Sequence, residues 1–450
     1  MGAPRHYLPA TEQEVREMLD AIGAKSIDEL FSDIPVGLRF KGKLDIPESL
    51  SEPELAAELD RMASMNNASA VCFAGGGIYD HFVPSVVDHM LRRGEFYTAY
   101  TPYQPEVSQG TLTAIFQYQT MICELTGMDQ ANASMYDAGT AAAEASIMCA
   151  SQSGRKKIVV TRATNPRYRE VIKTYAEPRE YEVVEIPFDP KTGQTDAAEL
   201  KKASSGAACV IAQNPNYLGV IEDMHELSEA AHVDGGFFVA VVNPVSLAVL
   251  EDPRGYGADI AVGEGQSMGN GMSFGGPLLG FMAATQQLIR RMPGRLVGQT
   301  LDNRGQRAFV LTLQTREQHI RRENATSNIC SNEALCALAA TIHLSLMGPN
   351  GLRKAAELSM WKAHYLAKSI SEKTPYKLKF AGPFFNEFAI EGEGCAPELR
   401  DRLLDEGILG GIPLSTDYPE LKHNSLWAVT ELRTREQMDR LVSLLEVSAR

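Results

Sequence analysis

Three segments place residues able to do chemistry directly after apolar runs of strand length. In NASMYDAGTAAAEASIMCA (132–150), Asp137, Gly139 and Thr140 open an Ala-rich helix. Free backbone N–H groups, a hydroxyl and the helix dipole suit an anion there, although plain capping by Asp137 or Thr140 uses the same residues. In NPVSL (243–247), after FFVAVV, Asn243 stands where many cofactor enzymes of alternating strand–helix build hold an acid against a ring nitrogen. A neutral amide hydrogen-bonds but does not hold a ring proton by charge. The third segment, GADIAVGEGQSMGNGMSFGGPLLG (257–280), carries eight glycines. That density means close backbone approach to a ligand or another chain, or else a flexible surface loop. It lacks the G-K-[ST] of a phosphate loop and the spacing of a dinucleotide fingerprint.

One absence is as informative as these motifs. The chain has 27 Arg and 16 Lys, yet the 151 residues between Lys202 and Lys354 hold ten Arg and no lysine. Any chemistry in the glycine-rich segment that needs a primary amine must therefore do without one. The nine histidines are dispersed. His81 and His89 are eight apart, about 12 Å along a helix and too far to chelate one ion, so no metal site follows. The seven cysteines, including Cys395, form no C-x-x-C and read as reduced thiols of a cytoplasmic protein.

These segments need a scaffold of strands and helices. From about residue 65 to 285 the chain alternates short apolar runs with amphipathic ones. IVVT (158–161), YEVVEIP (181–187), ACVIA (208–212), FFVAVV (237–242) and DIAVG (259–263) read as strands; PRYREVIKTYA (166–176), DAAELKKA (196–203) and MHELSEAAH (224–232) read as helices. Strands apolar on both faces and joined by helices predict a doubly wound, mostly parallel sheet. Its ligands belong at the carboxyl ends of the strands. The organisation expected is an N-terminal helical arm (1–64), a large α/β domain (65–315), then a helical connector and small C-terminal α/β domain (316–450). Thr11 and Glu14 form a capping box that starts the arm's first helix.

The 450 residues carry 43 basic and 57 acidic side chains, a net charge of −14, which disfavours nucleic acid or an anionic membrane as partner. No apolar run approaches the roughly 18–20 residues of a membrane span. The N-terminus, MGAPRHYLPATEQEVREML, lacks the pattern of a signal or transit peptide.

Several long stretches closely resemble glycine dehydrogenase (decarboxylating), the P-protein of the glycine cleavage system. They are YTAYTPYQPEVSQGTLTAIFQYQTMICELTGMDQANASMYDAGTAAAEA (97–145), GADIAVGEGQSMG with SFGGP, and LTLQTREQHIRRENATSNIC (311–330). GGGIYDHFVP (75–84) and PFFNEFAI (383–390) extend the resemblance over nearly the whole chain. The length resembles the separate subunit 1, or alpha chain, of the split bacterial form. This implies a pyridoxal phosphate (PLP)-dependent transferase fold of the aspartate-aminotransferase type (fold type I). It implies a second subunit (beta chain) holding the PLP lysine, a heterotetramer, glycine as substrate and the lipoyl arm of H-protein as acceptor of the aminomethyl group.

The family pattern puts Gln266 and Ser267 where the partner has its His-Lys pair, so the resemblance implies no covalent PLP on this chain. Candidate contributions to the partner's site are the phenols of Tyr97, Tyr100 and Tyr103, and Ser273, Gly275 and Gly276 toward the PLP phosphate. Arg316, Arg321 and Arg322 are candidates for carboxylate recognition or interface pairing, or are simply solvated on a helix. Two residues depart from the pattern: Asn324 stands where Lys is common in R-R-x-K-A-T-S-N, and Ser331 replaces a common Thr. Two other functions stay open, a non-catalytic scaffold or regulatory pseudo-subunit of the complex and a stand-alone PLP transferase using another lysine.

Overall fold

The computed structural model describes residues 10–42, 44–325, 327–330, 332–392 and 397–447; Ser331 and Cys395 lie outside them. The chain divides into two units, residues 1–67 and 68–450.

In the first unit, helix α1 (Glu12–Ile22) starts at the predicted capping box: Thr11 Oγ1 accepts from Glu14 N–H, and Glu14 returns a carboxylate to Thr11 N–H at 2.6 Å. Helix α2 (Glu52–Ser64) repeats the device with Ser51 and Glu54. Between them Arg39 donates to the carbonyls of Ile34 and Phe31. No described side chain of this unit is buried.

The second unit is built on a seven-stranded sheet of β1 (Gln130–Ala131), β2 (Lys157–Thr161), β3 (Glu182–Ile186), β4 (Ala207–Asn214), β5 (Phe237–Val242), β6 (Ile260–Glu264) and β7 (Gly280–Ala284). The order is β1-β7-β6-β5-β4-β2-β3. The five strands from β3 to β6 run parallel; β7 is antiparallel to both β6 and β1. Alternate strand residues feed two cores. Val159, Val210, Phe238 and Ala240 face one; Ile158, Val160, Ile211, Val239 and Val241 face the other. The first face is covered by α3 (Gln109–Thr126), α7 (Met224–His232) and α8 (Ala334–Lys373), the second by α4 (Ala138–Ser153) and α5 (Pro166–Ala176). Helix α6 (Ala197–Ala203) is set by Asp196, which caps it. The run of alanines lets α4 lie close against the sheet, and its residues from Ala138 to Ala150 are all buried except Thr140.

The expected doubly wound sheet is present, and so is the smaller C-terminal sheet. Its strands β10 (Lys377–Leu378), β11 (Glu387–Glu391), β12 (Ile412–Pro413) and β13 (Asn424–Ala428) are ordered β10-β11-β13-β12 and pack on α8 and α9 (Arg435–Val447). Two readings differ. An antiparallel hairpin, β8 (Leu296–Leu301) with β9 (Arg307–Thr312), was not foreseen; Asp302 accepts from Arg304 and Gln306 N–H to close its turn, and Gly305 takes φ 75°. Between Arg316 and Ala334 the described residues form a four-residue helix, Gln318–Arg321, and a 3-10 turn, Arg322–Asn324, rather than one continuous helix. Helix α8 is long and apolar enough to span a membrane by length and composition. It is kinked at Gly348–Pro349, and its buried residues contribute to three cores of the unit.

Candidate functional site

In the parallel sheet the chain runs outward from β2 to β3 and then returns to the other side of β2 with β4. A crevice forms at such a switch point, beyond the carboxyl ends of the strands. Here the chain's own Gly75–Tyr79 loop reaches it. The Asn165 side chain, after β2, donates to the Gly76 carbonyl at 2.8 Å, and its backbone N–H donates to Gln213 Oε1 of β4, also at 2.8 Å. Gly75 and Gly77 are required by fit, and Gly76 holds a left-handed φ of 77°. A Cβ on Gly75 would lie 2.1 Å from Glu387 Oε1, and one on Gly77 2.8 Å from Tyr168 Oη.

Two buried carboxylates organise the rest. Glu264, the last residue of β6, accepts from Leu279 N–H at 2.8 Å, Gln266 N–H at 3.1 Å and Ala138 N–H at 3.2 Å. Burial pushes its pKa up to about 7, against the lowering effect of the three donors. Glu387, the first residue of β11, accepts from Gly76 N–H and Tyr79 Oη, both at 2.7 Å, and burial pushes it up to about 7 as well. The same burial, with the neighbouring carboxylates, raises Tyr79 and Tyr168 well above the usual phenol value.

Gln266 links these groups. It is 1% exposed. Its Oε1 accepts from Tyr79 N–H at 3.0 Å, and its Nε2 donates to the carbonyls of Tyr79 at 3.1 Å and Asn270 at 2.7 Å. A side-chain amide thus pairs with a backbone amide as two strands would. Ser267 is buried beside it. Asn243 turns onto its own loop: Oδ1 accepts from Val245 N–H, and its carbonyl from the Ser246 hydroxyl. At the start of α4, Asp137 accepts from Thr140 N–H at 2.7 Å while Glu264 takes Ala138 N–H. Capping is therefore what the Asp137–Thr140 pair does, and this chain's carboxylates already satisfy the helix start.

This donor set does not fit a covalently held PLP. A phosphate at α4 would meet Asp137 and Glu264, Asn243 offers no acid to a ring nitrogen, and Gln266 supplies no amine.

The other predicted residues lie in separate places. Tyr97 (67% exposed) and Tyr100 (82% exposed) share an apolar hollow of about 80 Å³ with Leu335. Tyr100 also borders a cavity of about 230 Å³ that includes Ser134, Arg295, Cys330 and Asn332. Tyr103 does not line it but is held by Arg295, whose Nη2 donates to Tyr103 Oη at 2.9 Å and whose guanidinium lies 4.9 Å from the ring centre. Arg295 itself is buried and paired with Glu317. Arg316 is turned inward, donating to the Leu313 and Gly294 carbonyls at 3.0 Å, and burial lowers its pKa. Arg321, Arg322 and Asn324 are exposed. Ser273 and Gly275 lie in an exposed bend with Gly276, where Ser273 and Phe274 both adopt left-handed φ and Phe274 is 79% exposed. The glycine-rich segment is thus two structures, a buried clamp at Gln266 and an outward bend at Ser273–Gly276. Sequence reading missed Glu264, Glu387, Tyr168 and Arg295. Only the GGG at 75–77 and the Glu264 in its midst of glycines hinted at a close-packed site.

The family model of the glycine cleavage system P-protein matches residues 5–445. A probable glycine dehydrogenase (decarboxylating) subunit 1 of Anoxybacillus flavithermus is 52% identical over 442 residues, covering 98% of each chain. Its counterpart in Geobacillus thermodenitrificans is 53% identical over 443 residues, with the same coverage. A crystal structure of glycine decarboxylase (P-protein) in inhibitor-bound form superposes with a TM-score of 0.90 at 43% identity, over 98% of this chain and 99% of that one. Sphingosine-1-phosphate lyase of Burkholderia pseudomallei, 14% identical, matches with a TM-score of 0.66 over 92% of this chain and 94% of its own, a likeness of fold alone.

Proposed function

Because the chain belongs to the glycine cleavage system P-protein family, we propose that it works as one of two polypeptides forming that enzyme's active site. Its fold is that of the PLP-dependent transferases of fold type I, and its activity is that of a glycine dehydrogenase (decarboxylating) subunit. In this reading the second subunit carries PLP on its lysine. Together the two chains release CO2 from glycine and pass the aminomethyl group to the lipoyl arm of H-protein, in the cytoplasm. PLP supplies the electron sink when bound to the partner. This chain shapes the shared site, excludes water and offers polar groups across the interface.

The carrying observation is Gln266, locked to the Tyr79 backbone where an amine would be needed. Tyr97, Tyr100 and Tyr103 present phenols from one region, and Ser273, Gly275 and Gly276 present a bend able to meet the partner's phosphate. Arg321 and Arg322 suit carboxylate pairing better than Arg316, whose Nε and Nη2 are engaged internally.

Exchange of label between bicarbonate and the carboxyl group of glycine tests this. The reading expects exchange only when both chains are present. Full exchange by the second chain alone would leave this one a scaffold. Borohydride reduction of this chain with PLP should fix no adduct; a pyridoxyl-lysine here would overturn the assignment.

A further inference from the structure

One buried ion pair ties together the two longest stretches that carry the family likeness. Arg295 and Glu317, 4% and 5% exposed, pair where segment 97–103 meets segment 316–330. The Arg295 carbonyl accepts from Ala133 N–H at 2.9 Å, which anchors the residue beside β1. Its Nη1 meets Glu317, and its Nη2 donates to Tyr103 Oη at 2.9 Å and to Cys330 Sγ at 3.4 Å. The guanidinium also lies against the Tyr103 ring. His319 meets that ring edge-on, 5.7 Å between centroids, with its Nδ1 3.5 Å from Glu317. Such a pair is a poor device for stability, since apolar side chains of the same size would hold as well. What it provides is geometry, because a guanidinium fork fixes direction as well as distance. Tyr103 is thus held at its face, its edge and its oxygen. Its Oη accepts from the guanidinium and donates to no described residue, so the phenolic hydrogen is available to a group outside the chain. At 48% exposed, Tyr103 is also within reach of one.

We propose that Arg295 is a positioning residue for the shared site: with Glu317 it holds the Tyr103 hydroxyl as a fixed hydrogen-bond donor to the carboxylate of glycine. The inference rests on the two-chain reading above. Two anionic groups enter that site, the phosphate of PLP and the carboxylate of glycine. The reading gives the phosphate to the Ser273–Gly276 bend, so the carboxylate is what remains for Tyr103. Arg321 and Arg322, exposed on the segment that Glu317 anchors, bring charge; Tyr103 adds a fixed direction. A phenol whose oxygen already accepts from a cation is a strengthened donor. The carboxylate leaves as neutral CO2, so this bond is made to bound glycine and weakens as the reaction proceeds. Its loss therefore belongs in KM, with kcat not lowered.

Glycine–bicarbonate exchange by the full two-chain complex, with saturating PLP and H-protein, tests this. Tyr103→Phe removes one half-exposed hydroxyl and keeps the ring; it should raise KM for glycine at least about tenfold without lowering kcat. Arg295→Lys keeps a cation beside Glu317 but lacks the fork, and should do the same. The double variant should lose no more than either single one, because both remove the same bond. The Kd between the two chains, from titration calorimetry, should stay within about twofold throughout. An unchanged KM in Tyr103→Phe overturns the inference, as does a loss confined to kcat. Losses that multiply in the double variant overturn it by making the two residues independent. An Arg295→Lys chain that no longer folds or joins its partner makes Arg295 a residue of the fold alone and overturns its assignment. A higher PLP requirement with KM unchanged overturns it in favour of a phosphate contact. In each of these cases the two-chain reading stands. Full exchange by the second chain alone overturns the reading and the inference together.

Discussion

The strand-end crevice and the N-terminal arm handle the same problem in opposite ways. Around Gln266, carboxylates, phenol and amides are deeply buried, and Glu264, Glu387, Tyr79 and Gln266 all find partners within the chain. Along residues 10–67, side chains of core type stay exposed while the polar groups at the helix starts are neatly capped. The crevice keeps the form of a ligand site but is closed by its own Gly75–Tyr79 loop and its own carboxylates. The arm is locally well made but lacks a core. The crevice satisfies its polar groups from within the chain, whereas the arm leaves its apolar groups uncovered.

Substitution inside the crevice should have the largest effect. Glu264→Ala leaves three buried N–H groups without an acceptor and should destabilise the chain by about 3–5 kcal/mol in urea unfolding at neutral pH. A loss below about 1 kcal/mol would mean that water enters the crevice and that it is not closed.

Gly75→Ala comes next. Its methyl would sit 2.6 Å from Ala428 Cβ as well as against Glu387, so overpacking should cost about 1–3 kcal/mol by the same measurement. An unchanged midpoint would show the loop free to move away.

The two carboxylates also give stability a pH slope. Their folded pKa values, about 7, stand above the ordinary 4.5. The folded chain therefore holds protons that the unfolded chain releases. Stability should fall as pH rises from about 4.5 to about 7, by up to about 1.4 kcal/mol per pH unit for each group. Glu387→Gln should flatten part of that slope in a pH series of melting curves; an unaltered slope would place the titration elsewhere.

The smallest effect belongs to the arm. Leu59→Ala in the free chain should change stability by less than about 0.5 kcal/mol, because the side chain is already in water. A loss of about 2 kcal/mol would reveal packing against something and end the contrast.

Much of the scaffold was legible because it depends on local pattern. Helices Pro166–Ala176 and Met224–His232 and strand Phe237–Val242 have the bounds their apolar spacing suggested. Capping at Thr11 and Asp137 follows from residue types three apart. The hairpin Leu296–Thr312 was missed because its turn sits between strands that are polar and exposed at the hairpin end. The crevice was only half legible. Gln266 and Asn243 marked missing chemistry by position, but what those residues do instead was hidden.

Composition, period and motif alone determined a doubly wound α/β body, an acidic chain with no amine near its glycine-rich segment, and the family to which that pattern belongs. Tertiary structure alone decided that Tyr79 meets Glu387 across 308 residues of chain and that Glu264 caps the helix at Ala138, 126 residues away. It also split the glycine-rich segment into a buried clamp and an exposed bend. The reason is physical. Helix and strand periods are written by neighbours a few residues apart, while the partner of a buried polar group is chosen by whichever distant segment folding brings within about 3 Å.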